Sequence, residues 1–178
     1  TMLKDGVDIL IRSYAELANR YKDVDLALVG RADTQEDEMF FRDLATSLGI
    51  RERVHFTGKL PRNEVPAYLC NAEILTLARP KSMVADAGFP SKVTEYLATG
   101  KPVVVTAVGE IPNYLTDDVD AYIAEAGSPE SFTERMMYAL DNYNAALLIG
   151  RRGRELALSV FNNSYQANRV LKFIESKI

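Results

Sequence analysis

The segment Asp86-Ala87-Gly88-Phe89-Pro90-Ser91-Lys92-Val93-Thr94-Glu95-Tyr96-Leu97-Ala98-Thr99-Gly100-Lys101-Pro102-Val103-Val104-Val105 passes from loop to helix to apolar strand, and the chain is arranged around that passage. Gly88 permits a tight backbone approach. Pro90 suits the first turn of a helix, and residues 91–99 wind until Gly100 ends them, with Pro102 beyond. A helix N-terminus fed by a loop presents unpaired N–H groups and a positive dipole, so it attracts phosphate. Glu95, one turn further in, offers two acceptor oxygens to hydroxyls. Phosphate and sugar hydroxyls in one place suggest a nucleotide. Glycine and proline also open many helices in α/β proteins, and on spacing alone a solvated Glu95 and Lys92 are the simpler reading.

Working outward, Val7, Leu10, Ile11, Tyr14, Leu17, Ala18 and Tyr21 recur at steps of three and four, one stripe of an amphipathic helix after Gly6. Leu26-Ala27-Leu28-Val29, closed by Gly30, has the length of a strand buried on both faces. The pattern then predicts a helix over 35–48, a strand over 53–57 closed by Gly58, a helix capped by Asn63 and running to Leu69, and a strand over 74–77. After the opening segment come a strand over 121–124, a helix over 129–142 with Ser128 as cap and Pro129 at its first position, and closing helices over 145–161 and 164–178. Strands alternating with helices make a parallel, doubly wound α/β sheet with helices on both faces. Ligands of such a sheet bind outside the carboxyl ends of its strands. Gly30, Gly58, the loop 78–89 and the turn 107–110 all fall on that edge. We find no internal repeat, linker or low-complexity tract, so residues 1–178 read as a single domain. The start Thr1-Met2-Leu3-Lys4-Asp5-Gly6 enters a helix almost at once, as though the domain were excised from a longer chain and lacked its first strand.

Composition narrows the function. Hydrophobic residues make up 47% of the chain, enough for a real core. The net charge is −4 and no basic run of five occurs, which argues against a nucleic-acid surface. The one cysteine, Cys70, sits in an apolar-periodic segment and reads as a buried thiol in a reducing, cytoplasmic compartment. No apolar run is long enough to span a bilayer, and no signal peptide is visible, so export and membrane insertion find no support; peripheral membrane association of a parent protein stays open but has no support here either.

Familiar signatures are missing. No G-x-G-x-x-G follows a strand. Thr99-Gly100-Lys101-Pro102 imitates a phosphate-binding loop, but Glu95 stands where its first glycine belongs and Pro102 where Ser or Thr should hold magnesium. The only histidine, His55, lies inside a strand pattern between Val54 and Phe56 and reads as structural, and neither a Ser-His-Asp set nor a metal site can be assembled. No cofactor or metal is expected. Lys4 stands just before the first helix, on the edge where a preceding strand would end, and its ammonium can reach a diphosphate, although taken alone a lysine near a terminus is far more often solvated.

Lys4-Asp5-Gly6-Val7-Asp8-Ile9-Leu10-Ile11 resembles the K-G-hydrophobic-x-x-L-I entry to the C-terminal domain of family-4 glycosyltransferases (glycosyl transferases group 1) of the GT-B fold. The resemblance continues through Leu26-Ala27-Leu28-Val29-Gly30, Arg53-Val54-His55-Phe56-Thr57-Gly58-Lys59-Leu60 and Pro66-Ala67-Tyr68-Leu69-Cys70-Asn71-Ala72-Glu73-Ile74. It closes with the stretch from Gly88 to Val104 and with Gly109-Glu110-Ile111-Pro112. Each piece is weak alone; their order and spacing together are specific and cover nearly the whole chain.

The resemblance implies one Rossmann-like half of a GT-B enzyme, the half that holds a nucleotide-diphosphate sugar donor. Glu95 would take the ribose hydroxyls, Gly88, Phe89, Pro90, Ser91 and Lys92 the donor sugar and phosphate, and Lys4 the charge of the departing diphosphate. Gly30 would leave room for the nucleotide, and backbone at Gly58, Lys59 and Leu60 would face the base. A fixed cation and a helix N-terminus can stabilise a departing diphosphate without a metal. By the same resemblance the reaction is retaining and metal-independent, and the acceptor-binding N-terminal domain is absent from this chain, so the fragment alone should not transfer sugar. Two positions depart from the family: Ala87, beside Asp86, stands where many relatives carry glutamate, and no basic residue precedes Lys4. A non-catalytic nucleotide-sugar-binding module and a GT-B-fold sugar-nucleotide epimerase remain alternatives.

Overall fold

The computed structural model describes residues 2–177. The chain enters helix α1 (Val7–Arg20) through Gly6, which adopts a left-handed backbone at φ 74°. Strand β1 (Leu26–Val29) follows, then α2 (Gln35–Ser47), whose first turn is capped by the Thr34 hydroxyl accepting from the Asp37 amide at 3.0 Å. After a short 3-10 turn (Arg51–Arg53) come β2 (Val54–Gly58), α3 (Val65–Asn71) and β3 (Leu75–Leu77). The short α4 (Met83–Asp86) precedes α5 (Ser91–Ala98) and β4 (Val103–Thr106). Another short helix, α6 (Ile111–Tyr114), and β5 (Tyr122–Ala124) lead to α7 (Pro129–Asp141), α8 (Tyr143–Ser159) and α9 (Asn163–Glu175).

All assigned strand pairs are parallel, with helices on both faces, as the alternation predicts. Hydrogen bonding divides the strands into a pair, β1-β2, and a triplet, β3-β4-β5. Strand β4 shows why its sequence is an unbroken apolar run. Val104 belongs to a core with Ile11 and Leu17 of α1 and Phe132 of α7, while Val103 and Val105 belong to a second core with Val93 and Leu97 of α5 and Ala157 of α8. Each fully buried side chain of this size contributes roughly 1.5–3 kcal/mol relative to exposure.

Three sequence expectations change, and the structural histidine takes an exposed form. Cys70 is exposed, because α3 has no buried residue and turns Cys70 outward. Asn63 does not cap α3: the residue before that helix is Glu64, with no side-chain cap bond, since a turn intervenes. β1 is not buried on both faces, for Ala27 and Val29 are exposed beside an open cleft. His55 is exposed rather than packed, and its Nε2 pairs with Asp25 at 2.7 Å. That pair, with Arg53 donating to Asp25 and to the Ala18, Tyr21 and Val24 carbonyls, ties the C-terminal end of α1 and the loop after it to β2. His55 thus keeps a structural role.

Candidate functional site

The carboxyl ends of the strands meet the turn that begins α1. At Gly6 the chain approaches β3 so closely that a Cβ would lie 1.9 Å from the Ala78 carbonyl oxygen, a contact only glycine permits. Packing Gly6 there swings Asp5 inward, where it is 8% exposed, and leaves Lys4 on the exposed side of the turn. Arg79, directly after Ala78, donates from Nη2 to Asp5 Oδ1 at 3.1 Å, and Lys92 Nζ donates to Asp5 Oδ2. Burial pushes the Asp5 carboxyl up, but the bonds and charges of Lys92 and Arg79 outweigh it and hold the group below its ordinary value of 3.8. One buried anion therefore fixes two cations, the side chain of Arg79 13% exposed and that of Lys92 53% exposed. The local charge is positive.

Lys92 stands in the first turn of α5. The helix begins at Ser91 after Pro90, with no side-chain cap, so its N-terminus lies beside Lys92. The loop before it is pinned from below: a Cβ at Gly109 would meet the Ala85 and Gly88 carbonyl oxygens at 2.2 and 2.5 Å, so only a glycine there allows that approach. Pro90 is buried, and the Phe89 ring stacks with Phe161 and meets Tyr114 edge-on at centroid separations of 4.8 and 5.5 Å. Phe89 thus offers a ligand its backbone, its ring being committed to packing.

Glu95 lies one turn beyond Lys92 on α5 and is exposed. Burial first, then the negative charges of Asp5 and of Glu95, push the hydroxyl of the neighbouring Tyr96 up to about 12. A cleft of about 650 Å³ opens here; its lining includes Asp5, Lys92, Tyr96, Gly30 and Arg31. Gly30 and Gly58 form a bridge at the ends of β1 and β2, and the Gly30 amide donates to the Thr57 hydroxyl at 3.3 Å. Lys59 follows Gly58 as an exposed residue and Leu60 is half-buried. Of the residues the sequence singles out, Gly30 and Lys92 line the cleft, whereas Lys4, Gly58, Lys59, Leu60, Gly88, Phe89, Pro90, Ser91 and Glu95 do not, nor does Arg79.

Sequence reasoning missed Asp5 and Arg79. Arg79 was detectable as a basic residue two positions after a strand, on the edge where ligands bind. Asp5 was not, because its inward direction follows from the left-handed turn at Gly6 rather than from any periodicity. No group of three or more His, Cys, Asp or Glu side chains able to hold a metal occurs among the described residues.

Comparison with known proteins bears on the family and the fold. The chain is 29% identical over 157 residues to a GDP-mannose-dependent alpha-(1-6)-phosphatidylinositol monomannoside mannosyltransferase of Mycolicibacterium smegmatis, a match covering 87% of this chain and 40% of that protein. It is 28% identical over 140 residues to a D-inositol 3-phosphate glycosyltransferase of Corynebacterium aurimucosum, covering 77% of this chain and 32% of the relative. The chain thus spans about 40% or less of the length of these two curated relatives. Among solved structures, Anabaena Alr3699/HepE in complex with UDP superposes with a TM-score of 0.86 at 20% identity, over 97% of this chain and 46% of that one. The C-terminal domain of a glycosyl transferase group 1 family protein (LpcC) from Francisella tularensis superposes at 0.76 with 22% identity, over 88% and 79% of the two chains. The fold is accordingly the Rossmann-like half found in GT-B glycosyltransferases. The family model for glycosyl transferases group 1 matches residues 3–156, and the chain belongs to that family.

Proposed function

We propose that this chain is the donor-binding domain of a retaining, metal-independent glycosyltransferase that moves a sugar from a nucleotide-diphosphate sugar to an acceptor hydroxyl. One observation carries the reading: Lys92 and Arg79, held by Asp5, stand beside the N-terminus of α5, with Glu95 one turn further along that helix. When the bond from the anomeric carbon to the diphosphate oxygen breaks, its electron pair stays on the diphosphate. Two fixed cations and the helix amides are suited to receive that charge. Glu95 accepts from the ribose hydroxyls, and Gly88, Phe89, Pro90 and Ser91 border the donor sugar through their backbone. Gly30 and the turn at Gly58, Lys59 and Leu60 leave the nucleoside its place. Lys4, beside Asp5 on the outer face of the turn, joins the diphosphate from that side. The UDP in the HepE complex and the GDP-mannose dependence of the mycobacterial relative support a nucleotide-sugar donor.

The acceptor and the groups facing the donor across the cleft come from polypeptide outside this chain. The test compares the full-length protein with residues 1–178 alone against a panel of UDP-, GDP- and ADP-sugars. Transfer by the full-length protein and none by residues 1–178 supports the proposal. Transfer by the isolated chain overturns the division of labour. Isomerisation of free nucleotide sugar would favour an epimerase, and donor binding with no turnover a non-catalytic module.

A further inference from the structure

Lys92 and the amides that open α5 can serve a diphosphate only if the loop before them keeps one conformation. The main chain does little to fix that loop. The Glu110 amide donates to the Gly88 carbonyl at 3.4 Å, near the long limit of a hydrogen bond. The stronger attachment is the Phe89 ring. It lies 4.8 Å from the Phe161 ring at 30° and 5.5 Å from the Tyr114 ring at 78°, while Phe161 and Tyr114 meet at 5.3 Å. Three rings thus close a triangle at separations where aromatic pairs attract. Tyr114 is 39% exposed and belongs to the four-residue α6, whereas Phe161 packs against the core that holds Val93 and Leu97 of α5.

Phe161 comes from far along the chain, yet its mount is rigid. It follows α8, which runs antiparallel to α5, so that Gly150 meets Gly100, Gly153 meets Leu97 and Phe161 meets Phe89. A Cβ at Gly150 would lie 2.5 Å from the Gly100 carbonyl oxygen, and one at Gly153 would lie 2.8 Å from Leu97 Cδ2. α8 cannot slide along α5 without losing that fit. Past Phe161, the Asn162 side chain accepts from the Ser164 and Tyr165 amides at 2.9 and 3.3 Å, and the Gln166 side chain donates to the Val160 carbonyl. The turn that carries the ring is therefore fixed from both sides. Both ends of the eight-residue α5 are referred to one support, its C-terminal end through the glycines and its N-terminal end through the rings.

We infer that Phe161 is a positioning residue for the donor site. Acting through Phe89, it sets the start of α5, and with it the place of Lys92 and the first-turn amides, although neither ring lines the cleft. This role rests on the proposed donor reading; the ring contact behind it does not. Its effect should fall on the diphosphate end of the ligand, because Glu95 stands one turn further into the helix and the glycines at the ends of β1 and β2 belong to other elements.

The test uses the full-length protein with Phe161→Leu, Phe161→Tyr, Phe89→Leu and the double variant Phe89→Leu/Phe161→Leu. Calorimetric titration with UDP and UMP, and with GDP and GMP, separates the diphosphate end from the nucleoside end. In Phe161→Leu the diphosphates should bind about 5- to 30-fold more weakly, and the monophosphates should change by less than about 2-fold. Phe161→Tyr keeps the ring and should bind as the parent does. The double variant should bind no more weakly than Phe89→Leu alone, since the two rings make one contact. Without ligand, hydrogen exchange over residues 88–93 should quicken about 10-fold in Phe161→Leu and stay unchanged in β2. Phe89→Leu breaks the same contact from the loop side and carries both measurements if Phe161→Leu does not fold. Equal losses for mono- and diphosphates, additive losses in the double variant, or unchanged exchange over 88–93 would each overturn the inference. A parent protein that binds none of the four nucleotides refutes the donor reading, and the exchange comparison then decides alone whether Phe161 sets the loop.

Discussion

Replacing Gly6 by alanine tests how the site is built. Two costs act at this position. A non-glycine residue at φ 74° costs about 1–2 kcal/mol from the left-handed backbone alone. The new Cβ would also sit 1.9 Å from the Ala78 oxygen and must recede by about 1.5 Å to reach ordinary contact, a backbone displacement on the scale that costs about 1–3 kcal/mol. Gly49 supplies the control, for it has nearly the same φ, 72°, with nothing within 4 Å of its Cβ position. Gly49→Ala should therefore lose only the first cost, and Gly6→Ala both, about 2–5 kcal/mol. For a chain of this size that corresponds to a fall in Tm of about 4–20 °C. Urea unfolding of both variants, with the m-value checked for constancy, isolates the clash as their difference. If Gly6→Ala lies within about 0.5 kcal/mol of Gly49→Ala, the close approach of α1 to β3 is wrong, and with it the inward placement of Asp5.

Asp5→Asn keeps the side-chain shape but removes the charge that fixes Arg79 and Lys92, and should cost about 1–3 kcal/mol at neutral pH. Because the folded Asp5 carboxyl lies below 3.8, its contribution is complete above that value and fades as the pH falls through the folded pKa, so the gap between variant and parent should close in acid below 3.8. Chemical denaturation from pH 7 to 2.5 reads this out, and a gap that widens in acid contradicts the assignment. Phe132→Ala, at a fully buried position of α7, should lose about 3–5 kcal/mol of stability by the same assay. Ser128→Ala removes the hydroxyl that accepts from the Ser131 amide at 3.1 Å, and should cost about 1 kcal/mol with nucleotide binding unchanged.

The sequence carried the fold well because periodicity and punctuation are local. Steps of three and four marked α1, the run Val103-Val104-Val105 marked a strand covered on both faces, and Ser128-Pro129 marked the start of α7. What it did not carry depends on neighbours. Cys70 follows an apolar rhythm but lies on a helix with no buried residue, and Ala27 belongs to a strand whose outer edge borders the cleft. In the candidate site the helix start from Pro90 through Glu95 was legible, its charge pairings less so. Lys4 drew attention as the cation nearest the first helix, yet a single left-handed turn puts Asp5 inside instead, and the inner cations are Lys92 and Arg79, residues 87 and 74 positions along the chain from it. Long-range pairings of that kind leave no trace in spacing.

Calorimetric titration of the full-length protein with UDP, GDP and ADP, repeated with Glu95→Ala, tests the central claim most directly. The account predicts that at least one nucleotide binds and that the variant, still folded, binds it about 5- to 150-fold more weakly, the equivalent of about 1–3 kcal/mol in lost hydrogen bonds to a charged acceptor. No binding by any of the three, or unchanged affinity in a folded Glu95→Ala variant, would contradict it.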